Sequence, residues 1–250
     1  MSSPVKPMIN KLAVVVPVYQ QRLDALDELS LTHSLSLLST REIIFVGPKN
    51  LDISYYREHF GNFSYFDFDT SHFESLISYS SLLLSKSFYE RFSNFEFILV
   101  LQPDAIILKD DLDYWMNQPY DYIGAPWPDV VTIKLRLARY LFRKKSFSFF
   151  VGNGGLSLRR VNNILLLIDE LKRAQESFVQ KGVCEDIFFG LGGCLSKTFK
   201  VPDSIVASRF SLELKPTHFF TLNGGCLPMG GHAWLKYEPE FWRAHIPFKF

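Results

Sequence analysis

Phe97-Ile98-Leu99-Val100-Leu101-Gln102-Pro103-Asp104-Ala105-Ile106-Ile107-Leu108 joins five apolar residues, a polar Gln-Pro-Asp break and a second apolar run. The first run reads as a buried strand. A strand that stops at a carboxylate delivers it to the mouth of an α/β sheet, where such folds bind ligands. Taken alone, Pro103 and Asp104 read as ordinary turn residues, the commoner role of that pair. The flanking segments decide between the two.

Upstream, residues 11–19 (KLAVVVPVY) form a continuous apolar run, the profile of a parallel strand covered on both faces. Leu23, Leu26, Leu31, Leu35 and Leu38 recur at helical spacings within residues 22–39, and residues 42–46 (EIIFV) predict a second strand. Strand, helix and strand in this order make a βαβ unit with a right-handed crossover. Residues 55–60 predict a short helix, 63–68 a strand, and 73–91 one helix feeding the strand at Phe97.

Downstream, residues 110–117 (DDLDYWMN) predict a short helix with acids at its favoured end. Residues 120–128 (YDYIGAPWP) predict a strand end passing into a rigid turn. Residues 151–160 (VGNGGLSLRR) predict a glycine loop, since glycine permits positive φ and close backbone approach. Its spacing is not the dinucleotide fingerprint. Residues 161–177 predict an amphipathic helix, and Glu185-Asp186 opens another. Strands are expected at residues 205–210 and 217–221. No repeat and no linker composition interrupts the chain, which predicts a single domain.

The 250 residues are ample for a core, and 47% apolar with 21% charged is a globular balance. A net charge of +1 gives no global field for nucleic acid. Three cysteines, Cys184, Cys194 and Cys226, without a Cys-x-x-Cys pair, argue against a zinc site or a disulfide framework. No apolar run approaches the ~20 residues of a spanning helix, and the first residues are no secretory signal, which predicts a soluble, cytoplasmic chain.

The ordered set Gln102-Pro103-Asp104-Ala105, Tyr120-Asp121-Tyr122-Ile123-Gly124-Ala125-Pro126-Trp127, Gly152-Asn153-Gly154-Gly155-Leu156-Ser157-Leu158-Arg159, Glu185-Asp186-Ile187-Phe188-Phe189 and Gly231-His232 resembles the GT-A glycosyltransferase superfamily. More narrowly, it resembles a bacterial domain-of-unknown-function family grouped with those enzymes. The resemblance covers nearly the whole chain. It implies one α/β GT-A-like domain, a Rossmann-like mixed central sheet flanked by helices. Residues 1–125 would form the nucleotide-binding half and residues 126–250 the acceptor half.

The resemblance also implies roles. Gln102-Pro103-Asp104 stands where the superfamily carries Asp-x-Asp, the motif that binds a divalent metal (Mn²⁺ or Mg²⁺) on the donor diphosphate. Asp104 matches the second acid and Gln102 replaces the first, an amide oxygen being a poorer ligand for a hard cation than a carboxylate. His232 matches the histidine that completes the metal shell. Pro17, Tyr19, Gln102, Asp104, Ala105, Asn153, Gly154 and Gly155 would bind the donor, and Trp127 the acceptor. Asp186 is expected to be the general base of an inverting transfer, with Glu185 positioning the acceptor.

Residues 131–150 carry Lys134, Arg136, Arg139, Arg143, Lys144 and Lys145 among Leu, Tyr and Phe, with no acid. Such a run is a solvated face, a flap over phosphates or a surface for anionic lipid. Expected partners are a nucleotide-sugar donor and a glycan or lipid-linked glycan acceptor, with no nucleic acid. The expected location is cytoplasmic, peripheral at the inner face of the membrane, in surface-polysaccharide assembly. The alternative is a non-catalytic nucleotide-sugar or glycan-binding module whose Asp-x-Asp site has degenerated.

Overall fold

A computed structural model describes residues 10–134 and 146–246. The chain opens with β1 (Asn10–Pro17), α1 (Ala25–Leu37) and β2 (Glu42–Pro48), the βαβ unit the apolar runs predict. Asp24 caps α1, its carboxylate accepting from the Leu26 and Asp27 amides at 3.0 and 2.9 Å. Next come α2 (Ser54–Phe60), β3 (Ser64–Phe68), a 3-10 turn (Thr70–Phe73), α3 (Leu76–Leu83), α4 (Lys86–Glu90) and β4 (Phe95–Leu101).

The single helix expected over 73–91 is therefore broken. Ser75 and Ser78 form a capping box that starts α3, and the Ser85 hydroxyl accepts from the Phe88 amide to start α4. Two serine caps outweigh the continuity of the leucine pattern.

Beyond β4 lie β5 (Ala105–Ile107), α5 (Leu112–Met116), β6 (Tyr122–Lys134) and β7 (Ser146–Arg160). Here the expectations fail in one respect: the Gly/Pro/Trp turn and the glycine loop are both strand. β6 lies at the sheet edge, where prolines forfeit no ladder bond, and register shifts around Ala125 and Pro126 absorb them. Gly152, Gly154 and Gly155 are not among the glycines with positive φ. Of the basic tract, residues 131–134 and 146–149 pair as the outer end of the β6–β7 ribbon. Residues 135–145 lie outside the described residues, and with them any loop or helix expected there.

The remaining elements are α6 (Val161–Glu170), α7 (Lys172–Lys181), α8 (Glu185–Leu195), α9 (Ser204–Phe210), β8 (Ser211–Leu212), α10 (Pro216–Leu222), β9 (Gly230–His232) and α11 (Pro239–Arg243). The helix expected over 161–177 is two helices that meet at Leu171. The strands expected at 205–210 and 217–221 are helices. Asp203 caps the first by accepting from the Val206 amide, and Pro216 opens the second. Short apolar runs rich in branched and aromatic residues do not distinguish the two periods. No helix among the described residues is long and apolar enough to cross a membrane.

The central sheet runs β3-β2-β1-β4-β7-β6, parallel from β3 to β4 and antiparallel thereafter. It draws strands from both sides of residue 125. Alternate residues feed two cores: Ala13, Val15, Ile98 and Val100 face α3, α4, α6 and α8, while Val14, Val16, Leu99 and Leu101 face α1, α2, α5 and α9. A second sheet, β5-β9-β8, folds the C-terminal segment back beneath the end of β4, with Trp234 and Trp242 sealing it.

Candidate active site

From β1 the chain runs outward to β2 and β3, then returns on the other side of β1 as β4. The carboxyl ends of β1 and β4 thus flank the point where an α/β sheet opens a crevice. A cavity of about 430 Å³ occupies it, lined by Pro17, Tyr19, Gln102 and Asp104 together with Asp27 of α1. Three lining residues are carboxylates, Asp27, Glu74 and Asp104, and none of those described is Lys, Arg or His. Burial, with Asp24 and Asp104 nearby, pushes Asp27 up to about 6.

Gln102 is fixed at both backbone ends. Its amide donates to the Gly155 carbonyl at 2.9 Å, one step beyond the Leu101–Leu156 pair, and its carbonyl accepts from Ala105 at 2.9 Å. The second bond closes a β-turn with Pro103 at its second position, so the turn chemistry and the site are one object. Ala105 is buried in β5, paired with His232 in β9, and its carbonyl accepts from Ser30 at 2.7 Å. It frames the cavity without lining it.

His232 stands between carboxylates. Its Nδ1 lies 2.8 Å from Glu213 Oε2, and its Nε2 lies 3.2 Å from Asp104 Oδ1 and 3.0 Å from Gln102 Oε1. Burial alone would lower its pKa, but the bonds to Asp104 and Glu213 prevail and push it up to about 10. In return, despite its burial, Asp104 is held below the usual carboxylate range by the imidazole.

A second cluster forms where α8 meets β7. Arg159, fully buried, donates to Glu185 at 3.2 Å, to the Tyr89 hydroxyl at 3.0 Å and to the Ser157 hydroxyl at 3.0 Å. Ser80 donates to the other Glu185 oxygen and accepts the Glu185 amide, both at 2.6 Å. Both oxygens of Glu185 are thereby occupied. Among the described residues, Asp186 accepts only from the adjacent Ile187 amide, at 2.7 Å. Burial first, and then the Glu185 charge, push its carboxyl up to about 7, with Glu213 adding in the same sense.

The glycine run lies under these groups and explains its own composition. A Cβ on Gly152 would overlap the Trp127 indole, one on Gly154 would lie 2.8 Å from Glu185 Oε1, and one on Gly155 would overlap the His232 ring. These glycines supply missing volume rather than a left-handed backbone. The two clusters are linked through Glu213, which holds His232 at 2.8 Å and whose charge also reaches Asp186. Trp127 is half-buried farther out, with the Phe149 ring at 6.1 Å. Asn153 is buried, and its side-chain nitrogen has no hydrogen-bond partner among the described residues.

Sequence reasoning missed Glu213, Arg159 and Ser80. A signal existed for two of them: Arg159 interrupts an apolar strand, and Glu213 sits between Leu212 and Leu214. A charge in such a place requires a buried partner.

Among the described residues, no three His, Cys, Asp or Glu side chains group to hold a metal ion. The set that does converge is Asp104, His232 Nε2 and the Gln102 amide oxygen. The separations, 3.0 Å to Gln102 and 3.2 Å to Asp104, are those of hydrogen bonds from the protonated ring nitrogen. Glu213 on Nδ1 fixes the orientation of the imidazole. By donor type alone, the carboxylate and amide oxygens of Asp104 and Gln102 and the ring nitrogen of His232 are groups that Mn²⁺ or Mg²⁺ accepts once the imidazole has lost its proton.

Residues 62–232 match the model of a family described as "Protein of unknown function (DUF5672)". No curated protein matches the chain. The fold is that of GT-A glycosyltransferases. The chain is similar to the galactosyltransferase LgtC in complex with donor and acceptor sugar analogues, at 15% identity over 88% of this chain and 86% of that one, with a TM-score of 0.52. An active-site mutant of LgtC aligns over the same shares at 15% identity with a TM-score of 0.54. GlyE of Streptococcus pneumoniae TIGR4 aligns at 14% identity over 96% of this chain and 61% of its own, with a TM-score of 0.48.

Proposed function

We propose that this chain, which belongs to the DUF5672 family, transfers a sugar from a nucleotide-diphosphate donor to a glycan hydroxyl. The observation that carries the reading is that Asp104 and Gln102, which line a cavity at the switch point, both meet His232 just behind it, with Asp186 within reach of the Glu213 charge that holds the imidazole. LgtC holds donor and acceptor sugar analogues, and its fold is shared.

Pro17 and Tyr19 wall the donor, while Asn153 offers it an unused amide. Asp104 and His232, with the Gln102 oxygen, would hold Mn²⁺ or Mg²⁺, which offsets charge on the departing diphosphate. The acidic lining favours this over a cation-free site, because a diphosphate finds no Lys or Arg among the described residues there. Glu213 orients the imidazole.

Asp186 takes the proton of the acceptor hydroxyl as that oxygen bonds the anomeric carbon. The carbon–oxygen bond to the diphosphate breaks, and the nucleoside diphosphate leaves with its electron pair. Attack from the face opposite the leaving group inverts the centre. A carboxyl poised near neutrality suits that task. Glu185, saturated by Arg159 and Ser80, positions the acceptor indirectly by fixing the first turn of α8. Trp127 offers the acceptor an indole face.

In this reading residues 1–125 form the nucleotide-binding half and residues 126–250 the acceptor half, with Asn153 and His232 reaching back to the donor. The basic composition of 131–150 supports contact with anionic lipid, worth ~1 kcal/mol per basic residue near a bilayer surface. A lipid-linked acceptor at the inner face of the cytoplasmic membrane, in surface-polysaccharide assembly, is the substrate and setting this reading proposes.

The test is turnover of a nucleotide-sugar panel by the purified chain with Mn²⁺ and glycan acceptors, products read by mass spectrometry. Transfer that Asp186→Asn abolishes is the expected result. Absence of transfer with every donor overturns the reading, and binding without transfer identifies the non-catalytic module instead.

A further inference from the structure

We propose that Gly155 is a positioning residue: its missing side chain is the seat that holds the His232 imidazole against Asp104 and Gln102. The proposal rests on the cation-binding reading above, and it concerns how this chain assembles that group of side chains.

Three observations carry it. A Cβ on Gly155 would overlap three atoms of the His232 ring, Nε2, Cδ2 and Cε1, which include the nitrogen that faces Asp104 and Gln102. Gly155 does not need glycine's conformational freedom, since it is absent from the residues with positive φ. Its carbonyl also accepts the Gln102 amide at 2.9 Å, so one residue sets the place of two of the three converging groups.

His232 has no slack with which to evade a new methyl group. β9 pairs with β5 through Ala105 and His232, and the Ala233 amide donates to the Asp104 carbonyl at 3.1 Å. Behind it, Gly230 closes on the Ile106 carbonyl and Gly231 on the Trp242 indole. Glu213 holds the far ring nitrogen at 2.8 Å. A Cβ at residue 155 therefore expels the ring, because the strand that carries it cannot shift.

The experiment is a double-mutant cycle on the full chain with Gly155→Ala, His232→Ala and both together. Mn²⁺ binding is read by calorimetry and stability by thermal unfolding. Gly155→Ala is expected to weaken Mn²⁺ about 10–100-fold, as a displaced orienting contact does. In the His232→Ala background it is expected to cost no further affinity. It lowers Tm alone, and the double variant regains the loss because the ring is gone. If Gly155→Ala fails to fold while the double variant folds, the seat is supported.

Unchanged Mn²⁺ affinity in Gly155→Ala overturns the proposal, as does an equal loss of affinity in both backgrounds. So does a double variant no more stable than Gly155→Ala, which would mean that the glycine serves the strand. If the wild-type chain binds no Mn²⁺, the cation reading fails, and the recovery of Tm alone decides whether the seat exists.

Discussion

The clusters around His232 and Arg159 are neighbours built on opposite uses of a buried cation. His232 lies between Asp104 and Glu213, and its positive charge is a proton that can be exchanged. Arg159 is fully buried and keeps its charge at any working pH, so Glu185 is permanently paired. The first arrangement can give up its charge to a ligand. The second is fixed, and it leaves Asp186 beside a carboxylate that is already satisfied. The lesson is a difference in permanence: one buried charge can be exchanged, while the other is locked to its partner.

The largest effect should come from the group the fixed cluster leaves unpaired. Asp186→Asn is expected to lower kcat about 10²–10⁴-fold with little change in Tm, measured by steady-state transfer and thermal unfolding. If Tm falls and transfer survives, Asp186 belongs with the fixed side. Next, Arg159→Met leaves Glu185 buried without its partner and is expected to cost ~3–5 kcal/mol in urea unfolding. A neutral outcome would show that water reaches Glu185 and that the cluster is no fixed frame. Ser80→Ala removes both bonds to Glu185 and should cost ~1–3 kcal/mol by the same measurement.

The smallest effects are in pH. Asp186 rises from 3.8 to about 7 on folding, so the folded chain binds the extra proton between those values. Its contribution to stability therefore declines as pH rises from about 4 to 7, and Asp186→Asn should flatten that slope in a Tm series. Transfer, which needs the carboxylate, should climb through the same upper limit. Glu185→Gln removes the neighbouring charge and should move that climb to lower pH. A climb that stays in place would detach Asp186 from Glu185.

Most of the parallel half of the sheet was legible because doubly covered strands write themselves as unbroken apolar runs, as in residues 11–19 and 97–101. Gln102, Asp104 and His232 were legible as an ordered set, though 130 positions separate the first and last. The glycine run was recognised but misread, because a glycine that frees φ and one that yields space to a neighbour look alike in one dimension. Only the packing of Trp127, Glu185 and His232 distinguishes them. Glu213 and Ser80 escaped because their significance is pairwise: each is an ordinary polar residue until His232 or Glu185 lies beside it.

The prolines of β6 have a consequence beyond local geometry. β6 is an outermost strand of the six-stranded sheet, and such an edge is a template on which another chain can add. Pro126 and Pro128 carry no amide hydrogen, and the shifted register beside them breaks the even spacing that an added strand would need. The prolines that flank Trp127 thus guard the molecule against sheet-to-sheet aggregation. That guard sits where the sheet would otherwise continue.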